Sequence, residues 1–382
     1  MVSQRAREVT PFIAMDVLER ANELDDVIHL EVGEPDFSPP EVVTETAVES
    51  LRVGNTNYTA ARGKPELRRA IADRYDREYG VDVDPGRIVV PPGSSPGLLL
   101  AMAAVVDPGE EVVLTDPHYA CYPNFVRTVG GRIETVPLRA SEGFRPRLPD
   151  FEAAVDEGTG ALLLNSPANP TGAVMDGETL ESLVDLAEAN DATVVADEVY
   201  HGLSYGVEEH TVLEYTDEAF VLDGFSKRYA MTGWRLGWMV VPPEYVDAVN
   251  RLAQNLLICA PNFVQDAGVT ALETPPDRLD DIRETYRERR DLLVDAVEDW
   301  GLDLGYTPDG AYYLLADASD LPGDALDVAD LLLSEVGVAV TPGVDFGERA
   351  ADYLRFSYAT DLESIEEAIR RIERLLETVE RV

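Results

Sequence analysis

The segment Gly224-Phe-Ser-Lys-Arg-Tyr-Ala-Met-Thr-Gly-Trp-Arg-Leu-Gly237 holds Lys227, and among the 31 basic residues only Lys227 and Lys64 are lysines. A sequence that nearly excludes lysine, yet keeps one between a serine and a Gly-Trp-Arg, needs a primary amine there. A guanidinium stays protonated and forms no imine, whereas a lysine amine can lose its proton and condense with an aldehyde. Ser226 and Arg235 stand at a spacing that lets both reach one anion. Gly93-Ser94-Ser95 opens a predicted helix, where free backbone N–H groups and the helix dipole favour a phosphate. Amine, guanidinium and phosphate cradle together point to a phosphorylated aldehyde.

Pyridoxal phosphate answers that description. It further requires a carboxylate for its ring nitrogen, donors for its ring hydroxyl, an aromatic face and a grip on the substrate carboxylate. Asp197, directly after an apolar strand, can hold the pyridinium proton. Asn169 and Tyr200 can donate to the ring oxygen, and Tyr119 can stack on the ring. Arg355, in Leu354-Arg-Phe-Ser357, suits bidentate binding of an α-carboxylate. Taken singly, each has a plainer role. Gly-Ser-Ser is a helix cap, Asn-Pro-Thr-Gly a turn, Tyr119 a core residue and Arg355 a surface ion pair.

The elements that carry these residues set them apart from isolated motifs. Apolar, β-branched runs at 87–91, 111–115, 161–165, 193–196, 220–222 and 238–241 alternate with helical stretches at 96–106 and 177–190. Such alternation predicts an α/β fold with a mostly parallel sheet covered on both faces. Ser94, Tyr119, Asn169, Asp197 and Lys227 each follow the carboxyl end of a predicted strand, the edge where open α/β sheets bind ligands. Beyond a long charged helix at 277–300 come predicted strands near 311–316, 336–341 and 353–358, then a last helix at 362–379. This reads as a smaller α+β domain. The expected division is a large domain at 38–276 and a small one formed by 1–37 with 277–382.

With those motifs in place, the chain resembles class I/II pyridoxal-phosphate aminotransferases of fold type I over nearly its whole length. The segment Gly224 to Gly237 matches the lysine-attachment signature throughout. Asn165-Ser-Pro-Ala-Asn-Pro-Thr-Gly172 and Asp197-Glu-Val-Tyr200 match in order and spacing, and Asn57-Tyr-Thr-Ala-Ala-Arg-Gly-Lys-Pro-Glu-Leu-Arg68 resembles the family's Tyr-x-x-x-x-Gly-x-x-x-Leu-Arg segment. The resemblance implies a seven-stranded sheet in the large domain. It implies Lys227 as the covalent attachment point, with Ser94, Ser95, Ser226 and Arg235 on the phosphate. Tyr119 would stack, Asp197 would pair with the ring nitrogen, and Asn169 and Tyr200 would face the ring oxygen. Tyr58 would reach the phosphate of a neighbouring subunit, implying a homodimer with shared sites. Gly33 and Arg355, with Asn169, would bind the substrate. Ping-pong transfer of an amino group from an L-amino acid to a 2-oxo acid, taken as 2-oxoglutarate, would follow. The stretch Gly93 to Gly97 lacks the lysine that some aspartate-specific relatives carry there. Phe12, Ile13 and Met15 are candidates to close over an apolar side chain, which favours a broad or neutral to aromatic donor.

Composition bounds the partners. Asp plus Glu number 73, and the net charge is −42. A field of that sign repels nucleic-acid phosphates and anionic membrane surfaces. Acidic excess with scarce lysine suits a salt-adapted, halophilic cytoplasmic protein. The longest apolar run, Leu98 to Val106, is too short to span a bilayer. Two cysteines and four scattered histidines offer no metal-ligand spacing. The same cofactor residues would also serve a carbon–sulfur β-lyase or a decarboxylase. An aminotransferase-like regulator would carry a basic DNA-binding module, which the acidic charge and the short segment before Gly33 argue against.

Overall fold

In a computed structural model of the chain, which describes residues 2–379, the strands in chain order are Ile28–His29 (β1), Ile88–Val89 (β2), Glu111–Asp116 (β3), Arg132–Pro137 (β4), Thr159–Asn165 (β5), Thr193–Asp197 (β6), Phe220–Gly224 (β7), Gly237–Val240 (β8), Tyr313–Asp317 (β9), Val338–Ala339 (β10), Thr341–Pro342 (β11) and Tyr353–Ser357 (β12). Seven of them form one sheet in the order β2-β8-β7-β6-β5-β3-β4. β8 runs antiparallel to both its neighbours, and the other pairings are parallel. The architecture is therefore α/β with a mostly parallel seven-stranded sheet.

The central strands are buried because their residues are apolar on both faces. Leu162, Val195, Val221 and Leu222 are all fully buried. Each such side chain contributes roughly 1.5–3 kcal/mol relative to an exposed one. One cluster, with Leu67, Ile71, Leu183 and Trp238, packs one face of the sheet. A second, with Leu100, Met102, Leu114 and Phe220, packs the other. The covering helices start where local chemistry dictates. Asp176 caps Gly177–Ala189 by accepting from the Thr179 amide at 2.8 Å. Pro65 opens Pro65–Tyr79, and Gly80 ends it at φ 70°.

β4 belongs to no apolar run in the sequence. It is an edge strand whose Arg132, Glu134 and Thr135 face solvent, so hydrophobic patterning gives it no signal. The helix predicted at 96–106 begins two residues earlier, as Ser94–Val105. The strand predicted at 336–341 is corrected: Val336 ends a helix, and Gly337 turns the chain at φ 63° into β10, then β11.

A separate antiparallel sheet, β11-β12-β9, has its own core with Tyr286, Leu293, Val297, Leu314 and Phe356. The amino-terminal segment joins it: β1 pairs in parallel with β10, Ile28 opposite Val338. Among the described residues, no helix is long and apolar enough to cross a membrane.

Candidate active site

Strand pairing brings the site together. Asn165 and Asp197 end adjacent strands in register. The Asn165 amide donates to the Asp197 carbonyl at 2.8 Å, while its oxygen accepts from the Asn169 backbone N–H at 2.8 Å. A cavity of about 410 Å³ opens at this edge. Gly33, Ser94, Ser95, Tyr119, Asn169, Asp197, Tyr200, Ser226, Lys227, Arg235 and Arg355 all line it. Tyr58 does not line it, and is 82% exposed.

One end of the cavity is built for an anion. Gly93, at φ 108°, precedes the helix Ser94–Val105 and offers no side-chain cap, so the first N–H groups of the helix face outward. A Cβ on Gly93 would lie 2.6 Å from Arg235 Nη2, and one on Gly237 would lie 2.7 Å from Ser94 N. These glycines let backbone and guanidinium converge. Arg235 itself sits at φ 55°, its Nη1 donating to the Thr232 carbonyl at 2.7 Å. Among the described residues, the hydroxyls of Ser94, Ser95 and Ser226 engage no protein acceptor. Three hydroxyls, a helix start and a guanidinium form a donor set that fits a phosphate dianion.

Asp197 suits a protonated ring nitrogen. It is 4% exposed. Its Oδ2 accepts from Tyr122 Oη at 2.8 Å and its Oδ1 from the Val199 amide at 3.3 Å. Burial pushes its carboxyl up to about 6, against the pull of those two donors and of Lys227. A cation placed against it would favour the carboxylate. Tyr119 meets Phe12 and Tyr122 edge-on, at 5.9 and 5.3 Å between centroids. The Tyr200 hydroxyl pairs with that of Tyr313 at 2.9 Å.

Lys227 Nζ donates to the Gly33 carbonyl at 2.7 Å and lies 5.6 Å from the Tyr200 ring centre. Its loop is pinned from behind. Arg228 bonds Glu78 at 2.6 Å, and Glu78 also takes Arg74 Nε at 3.1 Å. Against burial, those two guanidiniums hold the Glu78 carboxyl down to about 2.

Arg355 is buried between Tyr313 and Phe346, 4.5 and 4.7 Å from their ring centres. It donates to Asn169 Oδ1 at 2.9 Å, to Thr341 Oγ1 at 3.1 Å and to the Glu31 carbonyl. Its Nε has no acceptor. The plain reading of Arg355 as a surface ion pair is excluded: it is buried, and among the described residues no carboxylate pairs with it. Phe12 and Met15 line the cavity with Leu18, but Ile13 turns away to pack with Val17, Ala21 and Leu333.

Sequence reading missed Tyr122, Tyr312, Tyr313, Asn165 and Thr341. Tyr122 had a signal: it stands three residues after Tyr119, at the start of the helix that follows. Tyr312 and Tyr313 had none, because adjacent tyrosines on a strand read as packing. Among the described residues, no cluster of His, Cys, Asp and Glu could hold a metal ion.

The aminotransferase class I and II family model matches residues 25–372. An aspartate/prephenate aminotransferase of Thermus thermophilus is 37% identical, covering 98% of each chain. A valine–pyruvate aminotransferase of Mycobacterium tuberculosis is 39% identical over 95% of this chain and 96% of its own. The solved structure of the Thermus thermophilus aspartate aminotransferase with maleate superposes with a TM-score of 0.93 at 37% identity, covering 98% of this chain and 99% of that one. Fold, cavity and family match agree, and the chain belongs to the pyridoxal-phosphate-dependent class I and II aminotransferases.

Proposed function

We propose that this aminotransferase takes neutral and aromatic L-amino acids as donors and 2-oxoglutarate as acceptor. The observation that carries the donor preference is the apolar wall of Phe12, Met15 and Leu18 in the cavity that holds Arg355. Among the described residues, the basic groups lining that cavity are Lys227, Arg235 and Arg355. With Lys227 and Arg235 assigned to the cofactor and Arg355 to the α-carboxylate, none is left for a second carboxylate on the donor. The acceptor rests on family resemblance alone, since the same lining offers the second carboxylate of 2-oxoglutarate no basic group of this chain.

Each residue has a distinct task in this reading. Pyridoxal phosphate, when bound, supplies an aldehyde that takes up an amine and a ring that accepts the electron pair left as the α-proton departs. Ser94, Ser95, Ser226 and Arg235 hold its phosphate. Asp197 keeps a proton on its ring nitrogen, Asn169 Nδ2 and Tyr200 Oη face its ring oxygen, and Tyr119 covers the ring. Arg355 and the Gly33 segment orient the donor's α-carboxylate. Lys227 Nζ anchors the cofactor, takes the donor's α-proton as general base and returns it as general acid.

The exposed Tyr58 fits a homodimer in which it reaches the neighbour's phosphate. Exposed Leu256 and Ile258 stand just before Cys259, whose sulfur accepts from the Thr59 amide, so the surface around Tyr58 is partly apolar. We assign residues 38–276 to the cofactor domain and 1–37 with 277–382 to the second domain, supported by their separate sheets. A cytoplasmic, salt-adapted setting is supported by the charge of −42.

A half-reaction screen tests the donor. Each amino acid is added to the holoenzyme and the cofactor absorbance followed, then 2-oxoglutarate or pyruvate is added to restore it. Phenylalanine, leucine and their kin should bleach the enzyme faster than aspartate. Aspartate in the lead would refute the donor assignment. Ammonia and pyruvate released over many turnovers would indicate a lyase.

A further inference from the structure

The Gly33 carbonyl carries two donors. Lys227 Nζ reaches it at 2.7 Å and Tyr312 Oη at 3.0 Å. We infer that Tyr312 is a positioning residue that shares this carbonyl with Lys227 and so keeps the amine from being held too tightly while it is off the cofactor.

Tyr312 is not needed to hold the carbonyl in place. The Gly33 segment is already anchored on both sides. Leu30 N donates to the Ala339 carbonyl at 2.9 Å, and Thr341 Oγ1 donates to the Glu31 carbonyl at 2.9 Å. Asp36 takes both terminal nitrogens of Arg289 at 2.8 Å. Gly33 also packs directly against β9, where an added Cβ would fall 1.6 Å from Tyr313 Oη. What remains for the Tyr312 hydroxyl is electrostatic. Burial raises its proton affinity well above that of an ordinary tyrosine, so it stays a donor.

Two donors on one oxygen weaken each other, because each places a positive hydrogen beside the other. The faces of Tyr200 and Tyr312, 5.6 and 5.7 Å from Nζ, hold the amine on a second side. An undivided carbonyl would add to that hold. The shared carbonyl weakens it and leaves Nζ freer to part from Gly33.

Tyr312→Phe tests this cleanly. The ring stays packed among Tyr200, Tyr286 and Tyr313, and Gly33 O keeps Lys227 as a partner, so no buried acceptor is orphaned. The chain has two lysines, which gives an internal standard: Lys64 pairs with Asp266 at 2.5 Å, away from Tyr312. Cofactor-stripped full-length protein is treated with trace acetic anhydride at neutral pH, and acetylation of the two lysines is compared by mass spectrometry. The Lys227 to Lys64 ratio should fall about two- to threefold in the variant, the size expected when a second donor weakens a charged hydrogen bond by a fraction of its strength. The melting temperature checks that the fold is retained.

An unchanged or higher ratio overturns the inference: unchanged means the hydroxyl is mere packing, higher means it anchors Gly33. The inference rests on Lys227 as the reactive amine. Its test involves no turnover, so failure here leaves the donor assignment standing, and failure of the bleaching screen leaves this result intact.

Discussion

Arg355 Nη1 and Asn169 Oδ1 lie 2.9 Å apart across 186 positions of sequence. This contact ties the small sheet to the loop after β5. It also fixes the orientation of the Asn169 amide, because the oxygen is taken by Arg355 and the Nδ2 group is left to face the cavity. In the proposed reading, this one contact sets a donor for the cofactor's ring oxygen and aims a guanidinium at the substrate.

Arg355→Lys removes the planar fork and this contact while keeping the charge. The concentration of amino acid needed for half-maximal bleaching should rise about 100-fold, as expected for losing one or two charge-assisted hydrogen bonds. Cofactor retention on gel filtration should be little changed. A shift below fivefold would remove Arg355 from carboxylate binding.

Asp197→Asn separates cofactor chemistry from folding. In holoenzyme, the bleaching rate should fall about 10²–10³-fold, the scale of losing one preorganised electrostatic partner. In cofactor-free protein the variant should gain stability relative to wild type as pH rises. The sign follows from the raised carboxyl, about 6 in the fold against an ordinary value of 3.8. The folded state holds the proton more tightly, so wild type loses stability as pH climbs from about 4 through 6. The difference in melting temperature between variant and wild type should therefore widen between pH 4 and 7. A constant difference would contradict the raised carboxyl of the buried Asp197.

Glu198→Gln should show the same trend over a window reaching higher pH. Burial pushes the Glu198 carboxyl up to about 8, despite the Val212 amide and Thr211 hydroxyl that it accepts from. Differential scanning of the two cofactor-free proteins from pH 5 to 9 measures it.

Asp345 caps a helix that is remote in sequence. Its two carboxylate oxygens accept from the Ile13 and Ala14 amides, each at 3.1 Å, at the start of the helix that brings Met15 and Leu18 to the cavity. Asp345→Ala should cost about 1 kcal/mol of stability, as other helix caps do. It should also raise the half-maximal concentration for leucine or phenylalanine more than for alanine. Equal effects on all donors would show that the helix does not form the side-chain pocket.

Salt should matter more than for an ordinary enzyme. Self-repulsion at a charge of −42 is screened as the Debye length falls from about 10 Å at 0.1 M to about 3 Å at 1 M salt. The melting temperature should rise over that range. Sedimentation in the same series should show a dimer, and Tyr58→Phe should weaken cofactor retention without dissociating it.

Much of the site was legible because its residues follow strands in a fixed order. Lys227, Asp197 and Asn169 are each announced by an apolar run that stops at a polar residue. β4 was not legible, since an exposed edge strand carries no hydrophobic pattern. The turn at Gly337 was read as strand because the Val-Gly-Val-Ala-Val run is equally β-branched on both sides of it.

The sequence by itself determined the alternation of strands and helices, the rarity of lysine and the motifs around Lys227, all of which are local and survive in one dimension. Tertiary structure alone decided that Arg355 is buried against Asn169, that Asp345 caps the first long helix and that Tyr312 and Lys227 share one carbonyl. Those contacts join positions 186 to 332 residues apart, and their strength depends on burial and on distances of a few tenths of an ångström, which no spacing along the chain encodes.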